Sequence, residues 1–107
     1  MKLLLAIVSD NDSSSVIKEL NKNSYQVTRL ATTGGFLSMG NTTMIIGCDD
    51  DRVQGAIDII GAESKTRTEI VPSSAPYDST RLMSMPIEVR VGGATIFVLN
   101  VEQFLKL

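Results

Sequence analysis

The sequence contains no histidine and a single cysteine, Cys48, and these two scarcities remove most of the usual enzymatic machinery. Histidine is the commonest general acid or base, and cysteine and histidine form most protein zinc sites. One cysteine also cannot form a disulfide within the chain, which is typical of cytoplasmic proteins. We therefore expect a cytoplasmic protein with no metal or cofactor, and these scarcities leave few routes to enzymatic catalysis.

Three further patterns are absent. No apolar run reaches the roughly 20 residues that a helix needs to cross a bilayer. Neither the lysine-containing phosphate loop of nucleotide triphosphatases nor the glycine spacing of dinucleotide-binding folds occurs. The net charge of −2 argues against binding to nucleic-acid polymers and to anionic membranes. We expect neither among the partners of this protein.

The first third of the chain predicts one strand–helix–strand unit. Leu3 to Val8 is a continuous apolar run, and no small-residue cleavage site follows it, so it predicts a buried strand rather than a signal peptide. Apolar residues at helical spacing predict a helix over 12–23. Alternation predicts a strand over 25–32, which places Gln26 on the same face as Thr28.

The same pattern then repeats about 40 residues later along the chain. A strand is predicted over 42–48, a helix from Val53 with Gly61 as its stop, and a further strand over 66–71. Two such units predict an α+β, ferredoxin-like βαββαβ fold. The whole chain, residues 1–107, is long enough for one domain with one core.

The last third predicts additions to that fold. Residues 72–85 are rich in Pro, Ser, Asp and Thr and predict a long exposed loop. Residues 87–91 and 94–99 alternate around Gly92-Gly93 and predict a C-terminal hairpin. Residues 101–105 predict a short terminal helix or a tail that covers a sheet edge.

The segment 31–43 combines three glycines, four threonines, an asparagine and Phe36 between two apolar runs. Glycine lets the backbone approach a ligand closely, threonine and asparagine supply hydrogen-bonding groups, and phenylalanine offers a flat face for stacking. This mixture is typical of a site that holds a heterocycle and its phosphates. The alternative is a glycine-rich connection without a ligand.

Four positions in and around this segment are expected to converge if the flanking strands pair antiparallel: Thr28, Phe36, Asn41 and Gly47. The missing side chain at Gly47 would leave room for a planar base against the sheet. The set offers hydrogen bonds and a stacking face but no nucleophile with an activating base. It therefore predicts binding without catalysis.

The other polar and aromatic residues have simpler interpretations. Asp49 to Asp51 predict helix capping rather than a cation site, and Cys48 predicts a buried core thiol. Phe97 is expected to pack in the core. Arg29 and Arg52 are expected to form ion pairs at the surface or between subunits.

Segments spread over most of the chain resemble the PII-like cyclic-di-AMP receptors of the PstA type. They are LLLAIVSDND, TRLATTGGFL, GNTTMIIGCDDDRV and PIEVRVGGATIFVL. The resemblance implies a homotrimer with ligand pockets at its three subunit interfaces and a signal receptor rather than an enzyme. It also implies a long late loop that responds to the ligand, and it leaves the downstream protein unnamed.

Carried over position by position, the resemblance implies ligand contacts from Thr28, Gly35, Phe36, Leu37, Asn41 and Gly47, with Phe97 stacking or packing against a base. Gln26 stands where the family carries an arginine, and this change would cost about 1–2 kcal/mol, or about 5–30-fold in affinity. Lys106 stands in place of a glutamine contact and would add attraction to phosphate. The loop 72–85 lacks the Gly-Gly associated with the family.

Three other functions stay open at this point. The same fold can serve a receptor for another adenine nucleotide such as ATP or AMP. A small metal-dependent phosphodiesterase would need a metal cluster near the segment 31–43, and the sequence offers none there. An oligomeric scaffold would bind no small molecule at all.

Overall fold

The computed structural model describes residues 1–30, 40–71 and 87–107. In chain order these residues form β1 (Lys2–Ser9), α1 (Asp10–Lys22), β2 (Val27–Arg29), β3 (Asn41–Cys48), a 3₁₀ turn (Asp50–Arg52), α2 (Val53–Glu63), β4 (Arg67–Val71), β5 (Ile87–Val91) and β6 (Ala94–Asn100). The segments 31–39 and 72–86, and with them the predicted long loop, lie outside the described residues.

Four strands form an antiparallel sheet in the order β2-β3-β1-β6. The central strand β1 pairs with β3 from Lys2↔Cys48 to Ser9↔Asn41 and with β6 from Lys2↔Asn100 to Val8↔Ala94. Strand β2 extends the other side of β3. This is the strand order of a ferredoxin-like βαββαβ fold, so the predicted fold class is confirmed.

The partners of the last three strands differ from those predicted. Strand β4 does not enter the main sheet, and β5 does not pair with β6. Instead β4 and β5 form a separate two-stranded sheet, from Arg67↔Val91 to Val71↔Ile87, which we call the ribbon. Period-two alternation shows that a segment is extended but does not identify the strand beside it, and this ambiguity caused the error.

Both helices cover one face of the main sheet. Alternate side chains of β1 and β3 point toward α1 and α2 and form the core with them. The fully buried members are Leu4, Ala6, Val16, Leu20, Met44, Ile46, Ala56 and Ile60. The opposite face carries no helix in the described part of the chain, and it is only half-buried along β1 and β3.

The ends of the predicted elements shift by a few residues. Helix α2 continues through Gly61 to Glu63, so Gly61 is not its stop. A side chain at Gly61 would meet nothing within 4 Å, which shows that this glycine faces outward. The hydroxyl of Ser64 donates to the carbonyl of Ile60 at the end of this helix. The segment 101–107 is a tail and not a helix, and it starts with a hydrogen bond from the amide of Val101 to the carbonyl of Met1, 3.2 Å long.

Candidate functional site

A cavity of about 350 Å³ opens on the helix-free face of the main sheet. We call it the sheet-face cavity. Its lining residues come from the starts of β1 and β2, the end of β3 and the C-terminal tail. They are Met1, Leu3, Gln26, Thr28, Ile45, Gly47, Val101 and Phe104.

The antiparallel register brings these residues together. Thr28 lies opposite Ile45 and Leu3 lies opposite Gly47, and directly opposed residues point to the same face of a sheet. Gln26 reaches the same cavity from the chain just before β2. Thr28 and Gly47, which the sequence predicts to be close across this strand pair, therefore do share a cavity, and Gln26 joins them.

Gly47 leaves an opening in the wall of the sheet-face cavity. A Cβ atom at this position would lie 3.4 Å from Cε of Met1, which is an ordinary van der Waals contact with the end of a flexible side chain. The fold can thus accept a methyl group here. The same methyl would project from the helix-free face into the sheet-face cavity.

The walls of the sheet-face cavity are mainly apolar, with the hydroxyl of Thr28 and the amide of Gln26 as its polar side chains among the described residues. An amide can donate and accept hydrogen bonds at once. Phe104, 63% exposed in the tail, adds an aromatic ring at the rim. The sequence analysis missed Phe104, and its only signal was a phenylalanine in a segment expected to cover an edge.

Asn41 lies at the other end of β3, opposite Ser9. It lines two smaller clefts, of about 200 and 180 Å³, that also share Ser9 and Gly92. Asn41 and Gly47 are six positions apart, which corresponds to about 20 Å along a strand at about 3.3 Å per residue. The predicted convergence of Asn41 with Thr28 and Gly47 is therefore not found within a single chain.

The remaining predicted ligand contacts are dispersed. Phe97 lies on β6 opposite Leu5, on the helix-free face, and it is 54% exposed rather than packed in the core. The expectation of a core position was wrong, because β6 is an edge strand with one uncovered face. Lys106 is exposed in the tail. Gly35, Phe36 and Leu37 lie outside the described residues.

The comparison with protein families decides the identity of the chain. All of its residues, 1–107, match the sequence model of a family described as the cyclic-di-AMP receptor. The chain belongs to the cyclic-di-AMP receptor family. The resemblance noted from the sequence segments is thereby confirmed.

One solved structure is similar to this receptor over almost its whole length. It is the crystal structure of a functionally unknown protein from Pediococcus pentosaceus ATCC 25745, with 42% sequence identity and a TM-score of 0.75. The match covers 99% of the receptor chain and 96% of that protein. The shared fold therefore includes the regions that hold the ribbon and the C-terminal tail.

The surroundings of Cys48 and of the acidic run that follows it shift the pKa of two of these groups in the receptor. Cys48 is buried, and this burial raises the pKa of its thiol, as expected for a core residue. Asp49 makes no side-chain capping hydrogen bond, whereas a carboxylate oxygen of Asp50 lies 3.0 Å from the amino group of Met1, which lowers the pKa of Asp50. Among the described residues, no three acidic, cysteine or histidine side chains are grouped to hold a metal ion.

Among the described residues of the single chain, Arg52 makes hydrogen bonds to backbone carbonyls and no ion pair, and the expected ion pair between subunits stays a prediction. Its guanidinium donates to the carbonyls of Asn23 (2.8 Å) and Ser24 (3.3 Å) and stacks 4.0 Å from the centre of the Tyr25 ring. It thus joins the end of α1 to the start of α2. In the described ranges, neither helix of the receptor is long and apolar enough to cross a membrane.

Proposed function

We propose that this protein is a cytoplasmic, non-catalytic receptor that binds cyclic-di-AMP as a homotrimer and passes the signal to a downstream protein through its loops. The single nucleotide-binding domain spans residues 1–107. The observation that carries the proposal is the sheet-face cavity, where Gln26, Thr28 and Gly47 meet in a chain of the cyclic-di-AMP receptor family.

One adenine base of the ligand would enter the sheet-face cavity. Gly47 provides the space, Thr28 provides a hydrogen bond to the base edge, Gln26 provides one to a phosphate, and Phe104 and Met1 provide apolar contact. Each such hydrogen bond contributes about 0.5–1.5 kcal/mol net. The cavity of about 350 Å³ lies at the lower end of the roughly 300–1,000 Å³ of typical ligand sites, so the rest of a cyclic dinucleotide would contact other groups.

A second subunit is the natural source of those groups. The helix-free face exposes Phe97 and Leu99 of β6, and the tail exposes Phe104 and Leu105. Apolar patches of this kind mark interaction surfaces, and a homotrimer would cover them. Asn41, Phe97 and Lys106, which lie apart from the sheet-face cavity in one chain, would then complete the site from neighbouring subunits.

The chemistry of the sheet-face cavity supports binding rather than turnover. Its described lining side chains include no carboxylate, amine or thiol. Proton transfer or nucleophilic attack on a phosphodiester would require such a group or a metal ion. The receptor would therefore release the nucleotide unchanged.

Calorimetry of the purified protein against cyclic-di-AMP, cyclic-di-GMP, ATP and AMP tests the proposal. We expect saturable binding of cyclic-di-AMP, no binding of cyclic-di-GMP, and displacement of the ligand by neither ATP nor AMP. Analysis of the recovered ligand, with and without Mg²⁺ or Mn²⁺, should show intact cyclic-di-AMP. Metal-dependent hydrolysis would contradict the non-catalytic role.

A receptor for a simpler adenine nucleotide is the second candidate. It draws on the neutral amide of Gln26 at the sheet-face cavity, where an arginine would add a charge-assisted contact to the phosphates of a cyclic dinucleotide. Tighter binding of ATP or AMP than of cyclic-di-AMP in the same titrations would select this candidate.

A further inference from the structure

The ribbon depends on its root for its orientation. It consists of only two strands, and an isolated two-stranded sheet is at best marginally stable in water. Its strands pair with each other and not with the main sheet. Among the described residues, the contacts that fix the ribbon relative to the domain lie where β4 begins and β5 ends.

At this root an ion pair joins the first residue of β4 to the first turn of α1. Nη2 of Arg67 lies 2.8 Å from Oδ1 of Asp12, and Nη1 lies 3.3 Å from Oδ2. The side chain of Asp12 is only 7% exposed, and the hydroxyl of Ser9 donates to it as well, over 3.2 Å. A buried carboxylate is costly without such partners, so Asp12 holds Arg67 in place.

The end of β5 is fixed to the same point. Gly92 has a φ of +91°, and a side chain there would collide with the carbonyl of Lys65, which also accepts a hydrogen bond from Nη1 of Arg67 at 3.0 Å. The amide of Gly93 donates to the carbonyl of Ser64. Both strands of the ribbon thus converge on Arg67 and its surroundings.

The same first turn of α1 also holds the start of β3 and the residue before it. The amide of Asp10 donates to the carbonyl of Gly40 (3.1 Å), and the hydroxyl of Thr42 donates to the carboxylate of Asp10 (2.6 Å). Asn41, a proposed ligand contact, lies between these two anchored residues. The cleft of about 200 Å³ beside Asn41 is bounded on its other side by Arg90 and Gly92 of the ribbon root.

We propose that the first turn of α1 couples nucleotide binding near Asn41 to the conformation of the ribbon, with the Asp12–Arg67 ion pair as the link. The inference rests on the proposed function. Thermodynamic linkage makes the coupling reciprocal. A ligand that fixes Gly40 and Asn41 stabilises the ribbon root, and a loosened root lowers the affinity for the ligand. Asp12 and Arg67 are positioning residues that do not touch the ligand.

Amide hydrogen–deuterium exchange of residues 67–71 and 87–91, measured with and without cyclic-di-AMP, tests the coupling. The variants are Arg67→Gln and Arg67→Lys, and affinity is measured in parallel by calorimetry. Glu69→Gln is the matched control, because Glu69 is the other carboxylate beside Arg67 but lies at 3.6 Å and is 48% exposed. Thr42→Val tests the second anchor with a side chain of nearly the same shape.

We expect the ligand to slow exchange in the ribbon of the wild type and of Glu69→Gln. Arg67→Gln should exchange fast in both states and bind at least about fivefold more weakly, the lower end of typical coupling. Thr42→Val should reduce the ligand-dependent protection of the ribbon. Arg67→Lys keeps the charge, so it should retain part of the protection that Arg67→Gln loses.

Two outcomes would overturn the inference, and they differ from each other. If the wild type binds cyclic-di-AMP and ribbon exchange does not respond, or responds equally in Arg67→Gln, the coupling is wrong and the receptor function stands. If the wild type binds no cyclic-di-AMP, the proposed function fails and the coupling fails with it. Thermal unfolding of each variant identifies any that does not fold, and in that case Arg67→Lys and Thr42→Val carry the test.

Discussion

Gly47 lies directly opposite Leu3 in the β1–β3 ladder, and the space left by its missing side chain borders the terminal methyl group of Met1. A glycine can serve the conformation of the backbone or leave space for another group, and at position 47 these two roles are separate. The backbone does not need a glycine at position 47, since an added Cβ would make only an ordinary contact. The value of the glycine is the opening it leaves in the sheet-face cavity.

Gly47→Ala should therefore weaken cyclic-di-AMP binding sharply while the protein stays folded. A methyl group forced against a bound base costs about 1–3 kcal/mol, which corresponds to a loss of about 5–150-fold in affinity. Calorimetry measures the loss, and thermal unfolding checks the fold. The matched control is Gly61→Ala on the exposed side of α2, which should bind normally and gain about 0.5–1 kcal/mol in stability.

Gln26→Arg should tighten the binding of cyclic-di-AMP by about 1 kcal/mol, or about fivefold, because a guanidinium donates charge-assisted hydrogen bonds to phosphate. The gain should shrink as salt screens the exposed part of the contact. Titrations at low and high salt measure both effects. Gln54→Arg makes the same exchange on α2, where Gln54 bonds to Asp58 at 2.9 Å, and it should leave affinity unchanged. Equal affinities for Gln26→Arg and the wild type would exclude position 26 from phosphate contact.

Asn41→Ala should weaken nucleotide binding by about 1–3 kcal/mol, since a desolvated group of the ligand would lose its hydrogen-bond partner. The oligomeric state should not change. Calorimetry and light scattering provide the two measurements. Asn21→Ala, on the exposed face of α1, is the control for the loss of an amide side chain. Wild-type affinity in Asn41→Ala would place the ligand away from this end of β3.

Leu99→Asp should convert the expected trimer into monomers. Leu99 is an exposed apolar residue of β6, beside Leu3 on the helix-free face, and burial of a new carboxylate in a subunit interface is strongly unfavourable. Light scattering at micromolar concentration gives the mass. Ile70→Asp changes an even more exposed apolar residue, 65% accessible, on the ribbon, and it should remain trimeric. A wild-type protein that is already monomeric would contradict the trimer itself.

The thiol of Cys48 should react slowly with a disulfide reagent in the folded protein and rapidly in urea. Burial raises its pKa, so the folded state keeps its proton while the unfolded state loses it at alkaline pH. The contribution of Cys48 to stability is therefore fully present below the unfolded pKa of about 8.5 and falls as the pH rises through the higher folded pKa. Urea unfolding at pH 7 and pH 10 measures this effect. Between these two pH values the free energy of unfolding should fall less for Cys48→Ala than for the wild type.

The sequence alone predicts the strands and helices of this fold better than it predicts their partners. The alternation of residues 87–91 and 94–99 identifies two strands, and Gly92-Gly93 identifies a change of direction. The pairing of β6 with β1 depends on which sheet edge is free after the helices have packed, and a local pattern contains no such information.

The same limit applies to the candidate site. Thr28 and Gly47 are predicted to meet because an antiparallel pair of neighbouring strands fixes their distance. Asn41 belongs to the same strand as Gly47 but lies at its opposite end. The hydrogen-bonding groups of the asparagine side chain suit a ligand, but they contain no information about where the residue lies. Phe104 comes from the tail, and only the tertiary fold brings it to the sheet-face cavity.

The position of β6 also has a consequence for the folding of the chain during its synthesis. The central strand β1 is synthesised before the other described strands, yet one of its two neighbours consists of residues 94–100. During synthesis one flank of β1 must wait, with its amide and carbonyl groups unpaired, until residues 94–100 have emerged. Pairings between the two ends of a chain are slow to form, because a long loop must close first. A nascent chain stalled before residue 94 would present β1 as an open edge, which is a template for aggregation.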